Sequence, residues 1–153
     1  MPRFNPDPTK ASAGIVTLPK DSYSFEIGDI KSFKKEKDGV LVNHGLAVPL
    51  TVVSEGPYKG KVVYPRLWMH NEGSQNATKR FQMAATGFGP KQEEEFNDSF
   101  GGSDWGYDPD DKNDVGTAWR ELKGKVVICD VEVAAGQNDT ELQNFKTWRV
   151  YGA

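Results

Sequence analysis

Lys61 to His70 reads KVVYPRLWMH, and the glycine-punctuated turn EGPYKG of Glu55 to Gly60 introduces it. Side chains on a strand alternate between faces, so Val63, Leu67 and Met69 fall on one side and Tyr64, Arg66, Trp68 and His70 on the other. The first set is apolar. The second is aromatic and basic, whereas an ordinary half-buried strand turns small polar residues to water. A flat row of Tyr, Arg, Trp and His offers stacking surfaces beside positive charge, which is the chemistry that bases and phosphates of a single-stranded nucleic acid require. The competing reading packs Tyr64 and Trp68 under a loop or helix with Arg66 solvated between them. Pro65 cannot donate to a ladder and marks an edge or a bulge.

Working outward, Tyr23, Phe25 and Ile27 alternate with Ser22, Ser24 and Glu26, predicting a strand that breaks at Gly28 and resumes through Ile30 to Phe33. After KSFKKEK and a turn at Asp38-Gly39, Val40 to Val53 reads as its hairpin partner. Val40, Val42, Leu46, Val48, Leu50 and Val52 share one parity, and Pro49 marks an interruption. With Lys61 to His70 these strands form a meander. Ala77, Phe81, Ala84 and Ala85 recur at helical spacing, with Ser74 as the expected N-cap and Gly87 as the stop. Thr117 to Lys123 reads as a helical turn or two. Lys125 to Ala134 is an alternating strand with Val127, Cys129, Val131 and Val133 on one face. In the last strand, Asn144 to Tyr151, the set Phe145, Thr147, Arg149 and Tyr151 opposes Lys146, Trp148 and Val150, and either set fits the inward face.

Three meandering strands, a helix and two further strands are the order of the OB fold, a five-stranded Greek-key barrel that binds oligonucleotides on the face of its second and third strands. The expected fold class is therefore mainly β. One OB-fold barrel would span residues 21–153, behind a proline-rich extended arm at 1–20.

The chain of 153 residues has a net charge of −3, unevenly spread. Residues 92–114 hold nine acids against Lys112 alone, a net −8, while the remainder has 18 bases and 13 acids, a net +5. Glycines and Pro109 punctuate the acidic insertion, which reads as a loop with little regular structure. So much negative charge beside a nucleic-acid groove projects away, competes for the groove, docks on a basic partner protein, or is simply solvated. No apolar run or leader-like segment points to a membrane, so a cytoplasmic location is expected. Cys129, the single cysteine, reads as a buried structural thiol.

The chain also resembles the small single-stranded-DNA-binding proteins that bacteriophages encode near their replication and recombination genes. The residues carrying the resemblance are RFNPDPTKASAG (Arg3 to Gly14), EGPYKGKVV (Glu55 to Val63), ATKRFQMAATGFG (Ala77 to Gly89), RELKGKVV (Arg120 to Val127) and QNFKTWRVY (Gln143 to Tyr151). It implies an OB fold, a phage origin in a host cytoplasm, and a role in coating single strands during replication, recombination or repair. A replication or recombination protein meeting the acidic segment is the expected partner.

The binding positions follow from alternation and charge. Tyr64, Trp68 and Trp148 are the expected stacking residues; Arg66, Lys31, Lys34, Lys35, Lys59, Lys61, Lys146 and Arg149 the expected phosphate contacts; and His70 a hydrogen-bonding group at the strand end. For the lysines and His70, plain solvation is the competing account. No zinc motif, P-loop or GxSxG elbow occurs, so neither a cofactor nor catalysis is expected. A metal-dependent nuclease would have to use Asp104, Asp108, Asp110 and Asp111 in the insertion. A protein-binding or structural barrel using the same aromatic face is the other alternative.

Overall fold

The structure is a computed structural model that describes residues 17–135 and 141–152. It is mainly β, with antiparallel sheets. The first three expected strands are each interrupted once, giving β1 (Asp21–Ile27), β2 (Lys31–Lys37), β3 (Val40–Ala47), β4 (Leu50–Val52), β5 (Val62–Val63) and β6 (Arg66–Trp68). They are followed by helix α1 (Glu72–Ala85), α2 (Glu93–Phe100), β7 (Tyr107–Asp108), β8 (Asp111–Val115), α3 (Thr117–Arg120), β9 (Val126–Ala135) and β10 (Glu141–Val150).

Each interruption carries the chain from one sheet to another. The larger sheet has the order β10-β9-β1-β4-β5 and the smaller β2-β3-β6. The crossings fall at Gly28, at Pro49 and at Pro65, where a donor is missing or a side chain would crowd the corner. They are stitched together by hydrogen bonds from Gly28 N to Pro49 O (2.8 Å) and from Val48 N to Pro65 O (3.1 Å). Thus Lys61 to His70 is a bent pair of short strands, not one continuous strand. Among the described residues β10 does not pair with β5 or β6, so the large sheet stays open. Helix α1 fills that side, packing on β10, β9 and β6.

The core lies between the sheets and α1. Phe25, Ile27, Leu46, Val48, Leu50, Val52, Phe81, Val127 and Val131 are at most 1% exposed. Val40 and Val42 share the parity of this core set yet are exposed, as is Leu41, because the β2–β3 hairpin runs past the edge of the body. A register shift between Lys35 and Glu36 also breaks their alternation there. The hairpin closes on Asp38 and Gly39, both at positive φ (54° and 78°), the conformation a two-residue turn needs.

The cap of the first helix differs from the sequence reading. Asn71, not Ser74, caps α1: its side chain accepts a hydrogen bond from Ser74 N at 2.8 Å. Residues 1–16 of the expected arm lie outside the described residues, but Leu18 is wholly buried. Its peptide N–H donates to Gln143 Oε1 and its carbonyl accepts from Gln143 Nε2 (3.2 Å), tying this end of the arm to β10.

The acidic insertion is the largest departure. It folds into α2 and the β7–β8 hairpin because it also carries Phe96, Phe100, Trp105 and Tyr107. Phe96 and Phe100, one helical turn apart, stack at 5.6 Å and meet Phe88 and Trp105. Trp105 meets the fully buried Trp119 edge to face at 4.9 Å, and the Trp119 indole donates to the Trp105 carbonyl at 2.7 Å. Aromatic burial therefore anchors a segment whose charge alone argues for disorder.

Candidate nucleic-acid interface

Strand register defines the outer face of the small sheet. Lys31 pairs with Ala47 and Ala47 with Arg66; Phe33 pairs with Gly45 and Gly45 with Trp68; Lys35 pairs with Asn43. Side chains opposite one another share a face, so Lys31, Phe33, Lys35, Arg66 and Trp68 lie together, and none of these paired positions is a carboxylate. The other face turns Ser32, Leu46 and Leu67 into the protein, and all three are buried.

The outer side chains form a continuous strip. The Phe33 and Trp68 rings meet edge to face at 4.8 Å across Gly45, the Trp68 and His70 rings do so at 5.6 Å, and the Arg66 guanidinium sits 5.0 Å from the centre of the Phe33 ring. Gly45 makes this approach possible. A Cβ there would stand 2.1 Å from Leu67 O, so no other residue fits between the strands without moving backbone. Thr78 of α1 donates its hydroxyl to Trp68 O at 3.0 Å and fixes β6 from beneath. Trp68 is half-buried between its neighbours, His70 is exposed just beyond the strand, and Tyr64, at the bend, is 57% exposed. Neither Tyr64 nor Trp68 is sealed in the interior. Phe33 was not among the expected site residues; with Lys31 and Lys35 it continues a basic-aromatic alternation on β2 that mirrors Arg66 and Trp68.

The expected lysines divide by location. Lys35 shares the strip's face and Lys61 is exposed at the entry to β5, while Lys59 pairs with Glu55 at 2.6 Å across the preceding turn. Lys31 and Lys34 are engaged by the acidic hairpin. Lys31 Nζ donates to Asn113 Oδ1 at 2.8 Å, and Lys34 Nζ meets Asp110 at 2.6 Å and Glu36 at 2.9 Å. Hydrogen bonds from Lys34 to Asp110 and then Glu36 hold its ammonium protonated well above the usual lysine range. The Ser32 hydroxyl lies 2.7 Å from Asp108 O and 3.0 Å from Asp111 O, and His44 Nδ1 is hydrogen-bonded to the Tyr107 hydroxyl. Burial pushes the Tyr107 phenol up to about 12. The hairpin thus docks along β2, one edge of the small sheet among the described residues.

Lys146, Trp148 and Arg149 belong to a different surface. The register of β10 on β9 shifts between Phe145 and Thr147, so the two sets expected on opposite faces mix. Phe145 and Trp148 both pack on the core, their rings stacked at 6.0 Å, and Trp148 also meets Phe81 of α1 at 4.9 Å. Trp148 is therefore a packing residue in place of an outward stacking platform. Lys146 pairs with Glu132 (3.1 Å), and Arg149 with Asp130 (2.7 Å) and the Ser22 hydroxyl (3.0 Å) on the outer side of the large sheet. Hydrogen bonds from Ser22, then Arg149, keep the Asp130 carboxyl below its ordinary range.

The four aspartates that a metal-dependent nuclease would have to use are engaged in other contacts. Asp104, Asp108 and Asp111 accept hydrogen bonds from the backbone N–H groups of Gly106, Asp110 and Asn113, two residues on, and Asp110 takes Lys34. Among the described residues, no group of three or more His, Cys, Asp or Glu side chains is placed to hold a metal ion, and no helix is long and apolar enough to cross a membrane. Cys129 is fully buried, and desolvation pushes its thiol up to about 12. Neither the known protein-family models nor the curated proteins provide a match to this chain.

Proposed function

We propose that the chain is a partly open OB-type barrel that binds and coats single-stranded DNA, in a phage-encoded replication, recombination or repair setting. Joining β1 with β2, β3 with β4, and β5 with β6 gives three bent strands; α1 follows, then β9 and β10. That connectivity is the one in which the second and third strands carry the oligonucleotide. Here their outer face is the side of β3 and β6 that holds Arg66 and Trp68.

The observation that carries the proposal is the contiguous strip of Arg66, Phe33, Trp68 and His70 on a face without carboxylates. Bases stack on aromatic rings and on guanidinium planes, while Lys35, Lys61 and Arg66 meet the linking phosphates. Stacking tolerates any base, which suits coating better than sequence readout. Tyr64 extends the strip around the bend.

The test is tryptophan fluorescence titrated with oligo-dT. Trp105, Trp119 and Trp148 are packed against the core, so quenching reports chiefly on Trp68 and disappears in Trp68→Phe while binding persists by anisotropy. About three phosphate contacts predict a slope of log K on log salt of about −2. No quenching and no anisotropy change at low salt and high protein concentration would remove the proposal and leave the protein-binding barrel in its place.

A further inference from the structure

The β7–β8 hairpin holds Asp108, Asp110, Asp111 and Asp114 against Lys112 alone, a net −3 within seven residues. It is not a free loop. Asp110 takes Lys34, Asn113 takes Lys31, and the buried Ser32 hydroxyl reaches two hairpin carbonyls, so the hairpin is fixed along the β2 side of the aromatic strip. Its contacts with Ser32, Lys34 and His44 engage the inward-facing parity of β2 and β3, and on the outer face it takes Lys31 alone of the paired β2 positions, so Phe33 and Trp68 stay partly exposed.

We infer that Asp110, Asp111 and Asp114 determine specificity, making this surface reject double-stranded DNA while admitting a single strand; the inference rests on the function proposed above. A single strand approaches through its bases, and stacking on Trp68 and Phe33 offsets repulsion from carboxylates at one border. A duplex has its bases stacked internally and meets the surface only through phosphates, which carry one charge per about 1.7 Å of axis against about 3.4 Å for one strand. Its second strand overhangs the border, where Lys31 and Lys34 are already engaged and the carboxylates outnumber the cations. Repulsion acts over roughly 8–10 Å at ordinary salt, enough to span the distance from a sheet edge to a neighbouring groove.

The experiment compares affinities for oligo-dT and for a mixed-sequence duplex of equal length, at one salt concentration, by anisotropy. The variant combines Asp110→Asn, Asp111→Asn and Asp114→Asn; asparagine retains the Asp111 turn contact to Asn113 N. A charge-matched control combines Glu94→Gln, Glu95→Gln and Asp98→Asn on the exposed side of α2. The hairpin variant is expected to bind duplex at least about 10-fold tighter and oligo-dT less than about 3-fold tighter, whereas the control shifts both by the same small factor. Asp114→Lys, at an exposed position that makes no side-chain hydrogen bond among the described residues, moves the ratio in the same direction even if the triple variant folds poorly. A duplex-to-single-strand ratio unchanged in Asp114→Lys, or raised equally in the control, overturns the inference while wild-type binding to oligo-dT still stands. Failure of the wild type to bind oligo-dT overturns the underlying function instead, and the inference with it.

Discussion

Replacing Gly45 by alanine tests the strand pairing beneath the aromatic strip. The added Cβ lands 2.1 Å from Leu67 O and 2.9 Å from Trp68 Cα, and both obstacles are backbone that no side-chain rotation can clear. Reaching ordinary contact requires β3 and β6 to separate by about 1 Å. That movement weakens the ladder at the Gly45 and Trp68 pair and the adjoining bond from Met69 N to His44 O, now 2.9 Å. Overpacking of this kind costs about 1–3 kcal/mol, and each hydrogen bond lost adds about 0.5–1.5 kcal/mol. A total loss of about 2–4 kcal/mol is expected, a large share of the roughly 5–15 kcal/mol that holds a domain together. With a urea m-value of about 2 kcal/mol/M, the unfolding midpoint falls by about 1–2 M. Urea titration followed by fluorescence measures the midpoint, and near-UV circular dichroism of the folded variant reads the contact between Phe33 and Trp68. An unchanged midpoint with an unchanged aromatic spectrum refutes the pairing of β3 with β6 and the strip built on it.

Trp68→Ala removes one stacking platform and weakens oligo-dT binding by about 1–3 kcal/mol, roughly 5- to 150-fold, with little change in the salt slope; an equilibrium titration at two salt concentrations separates the two effects. Trp119→Ala empties the site that joins the acidic insertion to the core and costs about 3–5 kcal/mol; limited proteolysis should then cut between Glu93 and Val115 faster than in the wild type. The thiol of Cys129 rises from 9.0 to about 12 on burial and the Tyr107 phenol from 10.0 to about 12. The folded state therefore holds these protons more tightly than the unfolded one. Their contribution is complete below pH 9 and is lost as pH rises toward about 12, so urea midpoints should decline across that window and decline less in Cys129→Ala. The same burial leaves Cys129 unreactive to a disulfide reagent in buffer and reactive in denaturant.

The arrangement of the first three strands was legible because glycine and proline announce a break by mechanism: Gly28, Pro49 and Pro65 are the crossing points between sheets. Parity alone placed Arg66, Trp68 and His70 on one outer surface. It failed at Val40 and Val42, since alternation reports shared faces and cannot tell where the body of the protein ends. In β10 a single extra residue reverses parity, and no sequence signal marks a bulge at Lys146, so alternation alone does not show that Trp148 packs on the core. Charge alone hides the structure of the acidic insertion; Phe96 and Phe100 at i and i+4 are the feature of the sequence that marks its helix. Phe33 lies in a lysine-rich stretch, and its place in the strip emerges only when β2 is laid in register against Gly45.

The irregularity in β10 has a practical consequence for handling the protein. Among the described residues the ten-residue β10 is the rim strand of the large sheet, a position whose peptide groups can invite another chain to add itself, the first step toward fibres. The extra residue between Phe145 and Thr147 twists that rim out of line, and Lys146 and Arg149 set charge beside it. Deleting Lys146 would straighten the rim into a flat template, and a preparation that stays clear when concentrated would be expected to become turbid.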